Sequence, residues 1–161
     1  MRLITTAREY DVPVLAALNN RFNEEGLTLP RSEAFVEGHL DDYRVIRDDD
    51  GHIVGCVCLD EYSPSLVELV ALAVDPVHHR KGLGARLIAA AVGLAQKRGY
   101  PEIFAVSFAE DLFQRSGFLT QDVTRYPEKK KRYDRVSADE WTVGQKHCYS
   151  RPLSAAIPLA E

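Results

Sequence analysis

The feature that most constrains this chain is an apolar segment joined to a basic, glycine-containing turn, which reads VELVALAVDPVHHRKGLGAR over residues 67–86. Residues 66–74 are rich in leucine, valine and alanine, which predicts a strand covered on both faces. Asp75 and Pro76 end the strand. Apolar residues then recur at helical spacing from Leu83 until Gly99, a typical helix terminator. The segment therefore predicts a strand, a short turn and a long helix.

The turn before this helix predicts an anion site. It contains His79, Arg80, Lys81, Gly82 and Gly84. The first backbone N–H groups of a helix have no partner within it, and the helix dipole favours negative charge there. We therefore expect a phosphate-bearing ligand at the helix start near Gly82. The P-loop pattern does not fit, and the dinucleotide fingerprint fails because Leu87 stands where its third glycine belongs.

Composition favours one globular domain over residues 1–161, with a less regular extension from about residue 126. Of the 161 residues, 45% are hydrophobic and 27% are charged, which allows a real core and a polar surface. The net charge of −4 argues against nucleic-acid binding. No apolar stretch is long enough to span a membrane. The N-terminal residues lack the apolar core of a signal peptide, so we expect a cytoplasmic location.

Three cysteines give no disulfide framework. Cys56 and Cys58 alternate along a predicted strand, so both should face one side as small apolar residues. A zinc site formed by these two with His147 and Cys148 is the alternative, but the spacing matches no ligand framework. We therefore predict packing rather than metal binding.

The order of predicted elements is β-α-α-β-β-β-α-β-α-β, which implies an α/β fold with a mixed sheet and helices on both of its faces. Outside the segment already described, strands are predicted at 2–6, 43–47, 52–59, 102–107, from 118 and at 147–153, and helices from Asp11, after Ser32 and at 110–116. In the first helix, Val14, Leu18 and Phe22 are expected to line the buried face.

The glycine-containing turn resembles motif A of the GNAT superfamily of N-acetyltransferases, Arg/Gln-x-x-Gly-x-Gly/Ala, with His79 where the family has Gln or Arg. LALAV before Asp75 and LFQRSGF at 112–118 are similar to further signatures of that family in the same chain order. The resemblance covers roughly residues 2 to 120. It implies the GNAT fold and acetyl-CoA as the acetyl donor.

The resemblance also implies which residues hold the donor. In this family the strand bulges and splays from its neighbour near the position of Val74. Backbone groups of the strand end would therefore pair with the pantetheine arm, and a backbone N–H near Val74 would stabilise the oxyanion. The turn and first helical residues would wrap the pyrophosphate. Phe113 stands where the family often has a Tyr that protonates the departing thiolate, and it would pack against the pantetheine. The implied cofactor-binding residues are Leu72, Ala73, Val74, His79, Arg80, Lys81, Gly82, Leu83, Gly84, Ala85 and Phe113.

Glu68 is the candidate catalytic residue. It is the only ionisable side chain in residues 66–74, and unbroken alternation would place it on one face with Leu66, Val70 and Leu72. A carboxylate among apolar neighbours is a suitable general base for an amine, acting directly or through a water. The position also matches the glutamate that some GNAT members use. The alternatives are a buried hydrogen-bonded structural group and a surface residue at the strand edge.

Within the superfamily, the chain looks most like the short bacterial amino-acid N-acetyltransferases of the N-acetylglutamate synthase type. The similarity lies in GLTLPRS at 26–32, VELVALAVDP at 67–76 and FAVSFAEDLFQRSGF at 104–118. It implies that Leu29 and Arg31 contact the acceptor, which we expect to be a small amino acid or related amine. Val70 stands where that group has Arg, which disfavours glutamate because a dicarboxylate needs guanidinium partners.

Other interpretations remain open. One is a protein or peptide N-acetyltransferase, and another is a catalytically silent acyl-CoA-binding module. The basic run 129–132 is expected to be solvated surface, the alternative being an arm that holds an anionic substrate or the cofactor's 3′-phosphate. A homodimer is compatible with the sequence, which does not determine the oligomeric state.

Overall fold

A computed structural model describes residues 3–21, 31–79, 82–129 and 147–153. Its strands are β1 (Ile4–Thr6), β2 (Tyr43–Arg47), β3 (Ile53–Ser63), β4 (Leu66–Val74), β5 (Glu102–Ser107), β6 (Leu119–Gln121) and β7 (His147–Pro152). Its α-helices are α1 (Val12–Arg21), α2 (Glu33–Gly38), α3 (Leu83–Lys97) and α4 (Glu110–Arg115). The predicted order of elements is confirmed, with β7 as the final strand.

Over the described residues, the strands form one mixed sheet in the order β1-β2-β3-β4-β5-β7-β6. β4 and β5 are parallel neighbours, and the other adjacent pairs are antiparallel. α1 and α2 pack on one face, where Leu15 and Val36 are fully buried. α3 and α4 pack on the other face, where Leu87 and Phe113 lie in a larger core. Each face of the sheet is therefore covered by an apolar layer, as the sequence predicts.

Local sequence signals account for several element boundaries. The Ser32 hydroxyl accepts a hydrogen bond from the backbone N–H of Phe35 at 3.0 Å, so Ser32 caps α2 as predicted. Gly51 has a φ of +86° in the predicted turn between β2 and β3. The predicted buried face of α1 is partly wrong, because Val14 is 50% exposed and Leu15 occupies the core instead. Phe22 lies outside the described residues.

β4 carries a bulge that breaks its alternation. Cys56 on β3 pairs with Ala73 on β4, and Cys58 pairs with Val70. A stretch of two residues along β3 therefore lies opposite a stretch of three residues along β4. Ala71, in the extra stretch, has a φ of +57°, which is rare for a residue with a side chain. The expectation that Leu72 shares a face with Glu68 and Val70 is therefore wrong. Leu72 packs against the α3 side, whereas Val70 belongs to the α1 side.

β4 and β5 separate soon after they meet. Their register pairs Val67 with Ile103 and Glu68 with Phe104, and within the described residues it extends no further. β4 nevertheless continues to Val74 and β5 to Ser107. The two strands consequently leave a gap that opens beyond Glu68. No helix in the described ranges has the length and apolar character needed to cross a bilayer.

Candidate active site

A groove of about 560 Å³ lies between the end of β4, the start of α3 and the segment that joins β5 to α4. Its β4 wall is formed by Leu72, Ala73 and Val74. The opposite wall carries Ser107, Phe108, Ala109 and Leu112, and the end at α3 is lined by His78, His79, Gly82, Leu83, Gly84, Ala85 and Arg115. Every predicted cofactor-binding residue that the structure describes lines this groove, except Phe113.

The anion site expected at the start of α3 has the required backbone. Gly82 precedes the helix with a φ of +76°, a left-handed conformation that favours glycine. The carbonyl of Gly82 accepts from the N–H of Arg86, so the helical hydrogen bonds begin there and the N–H groups of residues 83–85 precede that ladder. Arg80 and Lys81 lie outside the described residues.

Gly84 has a packing role. A Cβ at this position would lie 3.2 Å from Cδ2 of Leu112, so its absence allows α3 to approach α4 closely. Gly84 therefore lies at the contact between α3 and α4 while it also lines the groove. Ala85, the next residue, is exposed and lines the groove.

His79 is placed differently from a simple phosphate donor. Its Nε2 lies 2.7 Å from the carbonyl oxygen of Val74, a contact that requires the ring proton on Nε2. In the neutral ring, Nδ1 is then an acceptor. His79 therefore ties the turn to the end of β4, while it also lines the groove.

Phe113 lies in the core and not in the groove. It is 1% exposed, packs edge-on to Phe118 at 5.2 Å between ring centroids and stacks on Tyr149 at 5.5 Å. Phe113 is therefore not placed to pack against a pantetheine in the groove, which differs from the expectation. Leu112, one residue earlier on α4, lines the groove instead.

Glu68 is the last residue of β4 that pairs with β5, and it is 3% exposed. The Tyr62 hydroxyl donates to its Oε1 at 2.6 Å. The Lys129 ammonium lies 3.0 Å from Oε1 and 2.9 Å from Oε2. Glu68 is therefore a buried, hydrogen-bonded carboxylate with a cationic partner.

Lys129 was not predicted for this position. The solvated-surface interpretation of the run 129–132 is wrong for Lys129, which is 3% exposed, and residues 130–132 lie outside the described part of the chain. Sequence reasoning had no local signal for the contact, because Lys129 and Glu68 are 61 residues apart.

The bulge is held from the α1 side. The Asn19 amide Nδ2 donates to the carbonyl of Ala71 at 3.1 Å, and the Cys56 thiol donates to the same oxygen at 3.3 Å. Tyr43 fixes Asn19 by donating its hydroxyl to Oδ1 at 2.8 Å. Because all three anchoring side chains are fully buried, this network fixes where β4 turns away from β5.

Of the two predicted acceptor contacts, the structure describes Arg31. Its guanidinium lies over the Phe35 ring at 4.9 Å. Arg31 also acts electrostatically on two buried groups of the α1 face. Burial is the main cause that raises the pKa of Tyr43 and of Cys58, and the positive charge of Arg31 partly opposes that rise. Arg31 and Glu68 thus belong to the same side of the sheet. Leu29 lies outside the described residues.

The cysteines behave as packing residues. Cys56 and Cys58 lie in the core under α1, whereas Cys148 lies in a separate cluster with Phe104 and Tyr126. The alternative of a shared zinc site is therefore wrong for these cysteines. Burial, reinforced by the nearby Glu68 carboxylate, raises the pKa of the Cys148 thiol to about 12, so Cys148 is an unreactive neighbour of Glu68.

The groove fits the thioester predicted from sequence. A strand edge that has left its neighbour can pair with the amides of a pantetheine arm, and the start of α3 provides N–H groups for a diphosphate. Apolar side chains of Leu72, Leu83 and Leu112 provide the wall between them. This arrangement accepts an elongated ligand with one anionic end.

Comparison with protein families assigns this architecture. The model of the acetyltransferase (GNAT) family matches residues 12–118, which is more than half of the chain. The chain therefore belongs to the GNAT acetyltransferase family. The predicted family, fold class and enzyme class are confirmed, and acetyl-CoA is the donor used by this family.

Two curated relatives show the range of similarity. An amino-acid acetyltransferase of Neisseria meningitidis serogroup A is 30% identical over 131 residues, which cover 80% of this chain and 30% of that protein. An uncharacterized N-acetyltransferase of Chlorobaculum tepidum is 26% identical over 126 residues, which cover 78% of this chain and 81% of that protein. The chain thus spans about 30% of the length of the amino-acid acetyltransferases that it matches.

Solved structures agree. N-acetylglutamate synthase from Neisseria gonorrhoeae, complexed with coenzyme A and N-acetyl-glutamate, has a TM-score of 0.82 at 29% identity, over 96% of this chain and 35% of that chain. A Mycobacterium tuberculosis protein in complex with CoA has a TM-score of 0.81 at 20% identity, over 94% of this chain and 99% of that chain. The second similarity supports the fold alone.

Proposed function

We propose that this chain transfers the acetyl group of acetyl-CoA to the amine of a small amino acid, with Glu68 as the general base. The observation that carries the proposal is the position of Glu68. It is a buried carboxylate at the point where β4 and β5 part, beside a groove that fits the thioester. The amino-acid acceptor is supported by the relatives named amino-acid acetyltransferase.

Glu68 would remove the proton that prevents the amine from attacking. An amino group with a pKa well above 7 is mostly protonated at neutral pH and has no free electron pair. Once the first proton is on Glu68, the neutral nitrogen forms a bond to the acetyl carbon and the carbon–sulfur bond breaks to release the thiolate. The second proton that the nitrogen loses on becoming an amide passes to this thiolate or to solvent. A thiol with a pKa near 8.5 leaves readily without a side-chain acid, which suits a chain that has Phe113 in place of the usual tyrosine.

The experiment is the substitution Glu68→Gln, assayed by thiol release with acetyl-CoA and a panel of amino acids. We expect turnover to fall by about 100- to 10,000-fold, the usual contribution of a positioned base. The affinity for CoA, measured by calorimetry, should stay unchanged because Glu68 lies outside the residues that line the groove. Unchanged turnover would remove Glu68 from the mechanism.

Glu61→Gln is the matched control. Glu61 also accepts a hydrogen bond from a tyrosine hydroxyl, that of Tyr100 at 2.7 Å. Because successive side chains of a strand point to opposite faces, Glu61 lies on the face opposite to that of Tyr62, the hydrogen-bond partner of Glu68. The control makes the same change of charge and chemistry on the other side of the sheet. It should retain its turnover. A wild-type chain that binds CoA but acetylates nothing in the panel would instead support a silent acyl-CoA-binding module.

A further inference from the structure

The Glu68–Lys129 pair is buried on both sides. The two side chains are each 4% exposed, and the ammonium contacts both carboxylate oxygens. The surroundings are largely apolar and aromatic. Phe104 stacks on Tyr126 with 4.1 Å between ring centroids, and Tyr62 packs edge-on to Phe104. Two opposite charges are therefore held together where water has little access.

Stability does not explain such a pair. Removing two charges from water costs several kcal/mol per ion, and an apolar pair of similar volume is often as stable or more stable. The pair is also in the wrong arrangement for the proposed reaction, because Tyr62 and Lys129 occupy the carboxylate oxygens that the amine of an acceptor would have to reach. Before Glu68 can act on an amine, Lys129 needs another anion as its partner.

An α-amino acid supplies the two charges that this exchange requires. Its ammonium group can pair with Glu68, and its carboxylate can pair with Lys129. We propose that the buried pair is the receptor for the α-amino and α-carboxylate groups of the acceptor, and that Lys129 is the residue that selects for the carboxylate. This inference rests on the proposed function and names the residue that makes a free amino acid the acceptor. It involves an exchange of contacts and no additional bond-making step.

The exchange has a consequence for selectivity. An acceptor without an α-carboxylate leaves Lys129 on Glu68, so the base stays blocked. Simple amines and peptide N-termini, whose carboxylate is tied in an amide, should both be poor acceptors. A charge-assisted hydrogen bond contributes about 1.5–3 kcal/mol, which corresponds to roughly 10- to 150-fold in relative rate.

The test compares two substrates on two enzymes. The substrates are the best amino acid of the thiol-release panel and its α-carboxamide, which keeps size and shape and loses the negative charge. We expect the wild-type chain to prefer the acid by about 10- to 150-fold in kcat/KM. Lys129→Met should bring this ratio to within about threefold of unity, because the acid loses its cationic partner and Glu68 is no longer blocked when the carboxamide binds. Lys97→Met, an exposed lysine in the last turn of α3, is the matched control and should keep the wild-type ratio.

Several outcomes would overturn the inference. A wild-type chain without preference for the acid would do so, and so would a Lys129→Met variant that loses both substrates equally, since that pattern indicates a structural role. If no amino acid is acetylated at all, the proposed function itself fails, and that result is visible in the wild-type panel alone.

A second variant covers the case in which Lys129→Met does not fold. Glu68→Gln/Lys129→Met leaves no unpaired charge at the site, so it avoids the cost of a buried lone carboxylate. Calorimetry in the presence of CoA then measures binding without turnover. The wild type should bind the acid more tightly than the carboxamide, and the double variant should bind both equally. Retained selectivity in the double variant would contradict the role of Lys129.

Discussion

The Tyr149 side chain belongs to the core between β7 and α4. Among the described residues its hydroxyl has no hydrogen-bond partner, and the side chain is fully buried. Burial, with a smaller contribution from Glu110 and Asp111, raises the pKa of this phenol. The ring is well placed, since it stacks on Phe113 at an interplanar angle of 6°. The polar atom, and not the ring, is therefore the unfavourable part of this residue.

Tyr149→Phe should raise the free energy of unfolding by about 1 kcal/mol, because it removes an unsatisfied buried hydroxyl and keeps the stacked ring. Chemical denaturation monitored by circular dichroism measures the change. Tyr43→Phe is the control with the opposite sign, since the Tyr43 hydroxyl donates to Asn19 and its loss should cost about 1–3 kcal/mol. A loss of turnover in Tyr149→Phe would contradict this assignment and identify the hydroxyl as a proton donor.

At the scale of elements, β4 and α3 were predictable because periodicity and glycine placement are local properties. The bulge in β4 was implied only by the family resemblance, near Val74, since Ala71 carries no residue-type signal for a left-handed conformation. It depends on the Asn19 amide, which lies 52 residues away on α1. The face occupied by Leu72 was predicted wrongly for the same reason, whereas Glu68 precedes the bulge and keeps its expected face.

The start of α3 permits a test of the anion site by charge alone. Ala85→Glu adds a carboxylate in the first turn, where the helix dipole stabilises it, so the fold should be preserved. The same charge should repel the pyrophosphate of CoA and weaken its binding by about tenfold or more. Calorimetry measures the affinity. Gly84 is less suitable, because a side chain there must displace Leu112.

Ala89→Glu provides the comparison for Ala85→Glu. It lies one turn later on α3, is also exposed and does not line the groove. It carries the same added charge, so it should bind CoA with nearly wild-type affinity. Equal affinities for the two variants would mean that the diphosphate does not bind at the start of α3.

At the scale of the whole molecule, the sequence predicted which strands form the sheet but not which distant residues complete the site. Glu68 was found from its place on β4, whereas Lys129 and Tyr62 reach it only through the fold. Phe113 shows the converse, since its alignment with a family motif suggested a groove position and packing placed it in the core. The single domain over residues 1–161 and the irregular extension from about 126 stay predictions.

Long-range ion pairs also make the stability of the molecule depend on pH. Arg47 on β2 donates to both carboxylate oxygens of Asp11, at 3.0 and 2.6 Å, and thereby fastens the segment before α1 to the sheet. Burial alone would raise the pKa of Asp11, but the hydrogen bonds from Arg47 and from the backbone N–H of Arg8 outweigh it and lower that pKa. Asp11 is 3% exposed, so solvent screens the pair weakly.

A carboxyl group whose pKa is lower in the folded than in the unfolded state stabilises the fold above its unfolded value, near 3.9, and loses that contribution as the pH falls through the folded value. We therefore expect Asp11→Asn to lower the free energy of unfolding at pH 7 by about 1–3 kcal/mol. The deficit relative to wild type should shrink as the pH falls below about 4, because the wild-type carboxyl then becomes protonated too. Urea unfolding at several pH values measures it, with Asp49→Asn in the exposed turn before β3 as the charge-matched control. If the difference in the free energy of unfolding between Asp11→Asn and wild type stays constant down to pH 2, the negative charge of Asp11 does not contribute to stability. The ion pair with Arg47 would then not be the cause of the deficit.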